Sequence, residues 1–112
     1  MSKRTKTAFL PARVRTNLES MGEQIKLARK RRKLSISAIS ERAQCSELTV
    51  IRAERGIASV SIGVYARILY ALGLHDDLLL IAKDDKAGNA LLNIRLLGGI
   101  KHKKGDSLYD FA

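Results

Sequence analysis

The side chains able to do covalent or metal chemistry are few among the 112 residues, and none stands where such chemistry needs it. His75 and His102 lie far apart, and neither has a second His or Cys at metal-ligand spacing. Both read as surface residues. Cys45 is the only cysteine; it cannot close an internal disulfide, which suits a reducing, cytoplasmic setting. It also lacks the His and Asn context of a nucleophile. The pairs Asp76-Asp77 and Asp84-Asp85 have the right type for a metal or an acid–base site. Solvated helix caps and polar turns account for them better. No Gly-rich phosphate loop and no nucleophile motif occur. These observations point away from an enzyme, and no cofactor or metal is expected.

What remains is charge. Lys and Arg number 21 against 11 Asp and Glu, a net of +10. The excess is uneven. Residues 1–33 hold eleven Lys and Arg against Glu19 and Glu23, a net of +9, and residues 74–112 balance. The densest run is Arg29-Lys30-Arg31-Arg32-Lys33. Cations here favour a helix C-terminus, and they also attract polyphosphates through counterion release. An anionic membrane suits the arm less well, because only Phe9 and Leu10 could anchor it.

The elements that must carry these charges read as helices. A single Pro and eight Gly do not suit a β domain that turns every ten residues. No apolar run approaches the ~20 residues of a membrane span, and the basic start lacks a signal peptide's apolar segment. Leu, Ile, Val and Phe total 32 residues, enough for a core. Residues 1–10 show no periodicity. Pro11 suits a first helical position, and Val14, Leu18, Met21, Ile25 and Ala28 follow on one face. Gly22 interrupts them, leaving one long helix or two. Ser35, Ser46 and Ser61 are N-cap candidates, and Gly56 and Gly73 are stops. Asp76-Asp77 suits the start of a helix running through Ala82. Residues 84–88 read as a polar turn and Asn89 to Leu97 as a last apolar helix.

Two short helices joined by a tight turn, each with its own cap, outline a helix-turn-helix. The residues Gly22-Glu23-Gln24-Ile25, Arg29, Leu34-Ser35, Ile39, Ala43, Ser46, Val50 and Glu54-Arg55-Gly56, then Tyr65 through Gly73, resemble the Cro/C1-type (XRE) helix-turn-helix family. The resemblance covers residues 21–74. It implies an all-α, lambda-repressor-like five-helix domain. Around it lie a basic arm or leading helix at 1–20, a C-terminal helical extension at 75–100 and a tail at 101–112. Departures from the family pattern are Lys33, Ile36, Ser40 and Gln44. Ile36 cannot make the phosphate contact that the family's Gln supplies, and Gln44 replaces the Gly of the turn.

With Val50 as the inward centre of the second motif helix, Ala53 and Glu54 also turn inward at 100° per residue. Leu48, Arg52 and Arg55 turn outward, and Thr49 and Ile51 lie on the flanks. Glu47 sits at the end that reaches bases. Glu47, Leu48, Thr49 and Arg52 are therefore the base-reading candidates. Arg52 suits guanine O6 and N7, Glu47 suits cytosine N4, and Leu48 suits a thymine methyl. Ser46, Arg55, Ser59 and Ser61, with Lys30, Arg31 and Lys33, are phosphate candidates. Lys3, Arg4 and Lys6 could enter a minor groove as an arm. The resemblance implies that Arg29 and Glu54 form a structural pair.

One such motif reads few base pairs, so a homodimer on a near-palindromic operator is expected. Leu78, Leu79, Leu80, Ile81, Leu91, Leu92, Ile94, Leu96 and Leu97 are surplus apolar residues suited to the dimer surface. More loosely, the length and the C-terminal third are similar to HipB-like antitoxins, the regulators encoded beside HipA-type kinase toxins. That likeness implies a repressor of its own operon that also binds a kinase, with Tyr109-Asp110-Phe111 in the tail as a docking peptide. The alternatives are an interaction protein that mainly sequesters the toxin, and a stand-alone phage-type repressor.

Overall fold

Pro11 takes the N-cap position (φ −56°, ψ 143°), one residue earlier than its expected place, and α1 runs from Ala12 to Arg31. The computed structural model describes residues 10–98. Four further α-helices follow: α2 (Ile36–Ala43), α3 (Glu47–Glu54), α4 (Ile62–Ala71) and α5 (Lys86–Leu97). A 3-10 helix, His75–Leu80, precedes α5. The described chain is all-α. Three serine hydroxyls start the middle helices. Ser35, Ser46 and Ser61 accept from the backbone N–H of Ala38, Thr49 and Val64 at 3.0–3.1 Å, satisfying one orphan donor of each first turn.

Helix α1 is one helix, unbroken at Gly22. The glycine serves a tertiary purpose. A Cβ there would lie 2.6 Å from the Glu54 carbonyl oxygen and the Gly56 N, and 2.7 Å from the Ala53 carbonyl oxygen. Backbone thus meets backbone where α1 crosses the end of α3. Gly56 answers from the other side. It has φ +70°, and a Cβ on it would collide with the Leu18 carbonyl.

The core is the shared interior of α1 to α4: Ile25, Ala28, Ile39, Ala43, Val50, Ala53, Tyr65, Ile68 and Leu72. Ile39, Val50 and Ile68 are its largest fully buried side chains. Helix α2 packs against both α3 and α4, and α1 against α3. Val14, the first residue of the α1 stripe, is exposed.

The chain divides between Leu78 and Leu79 into two compact units. Two local expectations change in this region. The helix expected from Asp76 through Ala82 is a 3-10 helix that stops at Leu80, and Ala82 takes φ +61°. The last helix begins three residues before Asn89, because the Asp85 carboxylate accepts from the Gly88 N–H at 3.0 Å and caps it. In the second unit Leu79, Leu80, Ile81, Leu91, Ile94, Leu96 and Leu97 are exposed, and α5 buries no residue. No helix among the described residues is long and apolar enough to cross a membrane.

Helix propensity alone favours Ala over Gly inside a helix by about 1 kcal/mol. The opposite sign is expected for Gly22→Ala, a net loss of about 1–3 kcal/mol from overpacking. Denaturant unfolding of the variant beside the parent measures it.

Candidate nucleic-acid interface

Helix α3 has two turns and two chemically different sides. Val50 and Ala53 are fully buried and Glu54 nearly so. Glu47, Leu48, Arg52 and Arg55 are exposed, while Thr49 and Ile51 are half-buried. Among the described residues Arg52 and Arg55 make no ion pair. The Thr49 hydroxyl is engaged locally, 2.8 Å from the Ser46 Oγ. That contact orders the start of α3, where Glu47 and Leu48 stand.

The end of α3 is tied to α1. Arg29 Nε donates to Glu54 Oε2 at 2.6 Å and Nη2 to Oε1 at 3.1 Å, a bidentate pair. A third donor, Arg29 Nη1, reaches the Leu34 carbonyl at 3.0 Å, in the loop before α2. Both residues are buried. The hydrogen bonds to Glu54 hold the guanidinium more firmly protonated than usual, against the opposing effect of burial, and the carboxylate's charge adds to them. A buried carboxylate needs such partners.

The turn between α2 and α3 is closed by Gln44, which takes the left-handed conformation at φ 55° and ψ 49°. Its N–H donates to the Glu41 carbonyl, and the Cys45 N–H donates to the Ser40 carbonyl at 3.0 Å. Both satisfy orphan carbonyls of α2. Cys45 is half-buried here, and burial pushes its thiol pKa up, partly offset by the nearby charge of Arg67.

The phosphate candidates divide by surroundings. Ser46, Arg55, Ser59, Ser61, Lys30, Arg31 and Lys33 are all exposed. Ser46 and Ser61 also spend their hydroxyls as helix caps. Arg32, in the same basic run, bends back to the Ala28 carbonyl at 2.8 Å and so serves its own helix end. Ile36 is half-buried and, with Ile51 and Ile57, floors a groove of about 580 Å³ between α1 and α3. Lys26 and Arg55 also line that groove, with Glu19 and Glu23. Lys3, Arg4 and Lys6, the tail at 101–112 and His102 lie outside the described residues. His75 is exposed beside Asp76, Nε2 to Oδ1 3.8 Å.

Two contacts had no forecast from the sequence. Tyr65 Oη donates to the Ile57 carbonyl at 2.9 Å, pinning the loop after α3. Arg67 Nε donates to the Ala43 carbonyl at 2.9 Å, pinning the turn before it. The available signal was weak: Arg67 is the only charge in the apolar run from Ile62 to Ala71.

Two short helices at a fixed turn, the second with a buried side and a free polar side, define a helix-turn-helix domain. A family model described as a helix-turn-helix domain matches residues 20–80, more than half of the chain. The chain belongs to the helix-turn-helix domain family, and is thereby a DNA-binding regulator in class. Comparison with curated proteins and with solved structures found no match.

Removing one partner of the Arg29–Glu54 pair strands a buried charge. Glu54→Ala is expected to cost about 3–5 kcal/mol of unfolding free energy. The double variant Arg29→Met with Glu54→Leu should lose much less than the two single changes together. A double-mutant cycle by denaturant unfolding tests the non-additivity.

Proposed function

We propose that this protein is a sequence-specific repressor whose base-reading residues are Glu47, Leu48, Thr49 and Arg52. The observation that carries the reading is the polarity of α3. One side is locked into the core through Val50, Ala53 and Glu54, and the opposite side presents Arg52, which makes no ion pair among the described residues, with Leu48 and Glu47 exposed. An α-helix in the major groove reads with such a side, and Arg52 can take guanine bidentately. Ser46, Arg55, Ser59, Ser61, Lys30, Arg31 and Lys33 would hold phosphates and set orientation, with Lys3, Arg4 and Lys6 as a minor-groove arm.

Two turns of helix cover only a few base pairs, so the repressor is proposed to act as a homodimer on a near-palindromic operator. The large apolar side chains exposed on the second unit support that assembly, because so much exposed apolar surface favours an interaction site. Leu97, at 88% exposure, is the extreme case. The looser likeness to HipB-like antitoxins extends the proposal to an antitoxin that represses its own operon and binds a HipA-like kinase toxin. The same apolar helix favours the second reading, a protein that chiefly sequesters such a toxin. Direct binding of the purified protein to the kinase-like product of a neighbouring reading frame separates the two.

Arg52→Ala is expected to weaken binding to the upstream operator by about 1–3 kcal/mol. Unfolding should be unchanged, and affinity for scrambled DNA should fall far less. A gel shift with both DNAs, beside a thermal melt, measures this; equal retention of both DNAs by the parent protein would leave a general polyanion binder. Ile94→Glu should shift the sedimenting species from dimer to monomer while the helical circular dichroism signal of α1 to α4 persists.

A further inference from the structure

Helix α2 ends on Ala43, whose side chain is buried and whose carbonyl takes no backbone hydrogen bond among the described residues. Its partner comes from α4, 24 residues further along the chain: Arg67 Nε at 2.9 Å. The acceptor lies at the negative end of α2, where a guanidinium gains from both the orphan carbonyl and the helix dipole. The next residue, Gln44, occupies a left-handed conformation that a non-glycine side chain adopts at a cost. The turn is therefore strained at Gln44 and held from outside at Ala43.

We infer that Arg67 is a positioning residue for base reading: from α4 it holds the α2–α3 turn, and so the angle at which α3 presents Glu47, Leu48 and Arg52. This rests on the proposal that α3 reads DNA. Each connection bordering α3 has one such pin, with Tyr65 on the loop after α3 and Arg67 on the turn before it. The pin before α3 matters more for recognition, because the base-reading end of the helix is its N-terminal end.

Cys45, the only cysteine in the chain, sits half-buried in the same turn and reports its opening without any DNA. The charge of Arg67 makes that thiol more acidic. Removing the charge therefore leaves less thiolate and would slow alkylation, so any faster reaction comes from an open turn. Arg67→Met keeps the apolar stem and removes the donor, whereas Arg67→Lys keeps a charge and a donor.

The test combines Cys45 alkylation of the free full-length protein with titration of operator and scrambled DNA at several salt concentrations. Losing one hydrogen bond corresponds to about a two- to tenfold change in the opening equilibrium. Arg67→Met is expected to alkylate faster by about that factor and to lose a similar factor in the ratio of operator to scrambled affinity. Its salt dependence should match the parent's, and Arg67→Lys should recover most of both effects. Alkylation at the parental rate per thiolate, each rate being corrected for the thiol pKa of its own variant, overturns the pin, whatever the DNA result. Faster alkylation with undiminished operator preference overturns the role in reading. A salt slope lower by about one would instead make Arg67 a phosphate contact and also overturn the inference. Failure of the parent protein to prefer its operator overturns the functional proposal and with it the DNA half of this one, while alkylation still decides the pin.

Discussion

The fixed position of α3 depends on one buried ion pair. Arg29 on α1 and Glu54 at the end of α3 meet bidentately, and the third nitrogen of the guanidinium takes the Leu34 carbonyl. Such a pair adds little net stability, because both charges lost their water. Its value is geometric. A guanidinium fork donates to a carboxylate in one plane and at one distance, so three segments of chain are brought into a single arrangement. Around it, Gly22 and Gly56 let backbone approach backbone, which brings α1 close enough for the fork to reach.

Long polar side chains repeat the same device at each connection. Arg29 holds the loop before α2, Arg67 the turn before α3, and Tyr65 the loop after it. Arg29 and Arg67 donate to carbonyls that take no backbone hydrogen bond among the described residues, whereas the Ile57 carbonyl accepts from both the Tyr65 hydroxyl and the Val60 N–H. A two-turn helix has too few internal hydrogen bonds to be stable by itself. Helix α3 is therefore held by its neighbours. Its apolar contribution is two fully buried side chains, Val50 and Ala53, and the rest of its position comes from these polar ties. A helix anchored along one side and at both ends is free to offer its other side without moving.

The two units differ in surface chemistry as they differ in sequence. The first combines a packed core with the cation-rich segment 1–33. The second carries six Lys and Arg against four Asp, a net of only +2, and exposes the apolar side chains of α5. Cationic surface attracts polyanions over a distance set by salt, whereas apolar surface acts only on contact. The chain thus concentrates its cations in one unit and its exposed large apolar side chains mainly in the other.

Local features were legible in the sequence because their physics is local. A serine three residues before a free N–H is a cap wherever the helix later packs, and so Ser35, Ser46 and Ser61 mark three helix starts. The inward side of α3 follows from helical periodicity once Val50 is taken as its centre. Asp85 shows the limit of such signals: Gly88 made the same residues read as a turn. What depends on a distant neighbour stayed hidden. Gly22 looks like an interruption until the end of α3 is seen lying on it, and Arg67 looks like a solvated charge until the carbonyl of Ala43 is found 24 residues earlier. The amino-acid order by itself determined α2, α3 and α4, their serine caps and the polar side of α3, since those follow from bonds and periods spanning a few residues. Only the folded chain decided where helices touch and which side chains hold the turn, because those contacts exist only once remote segments have met.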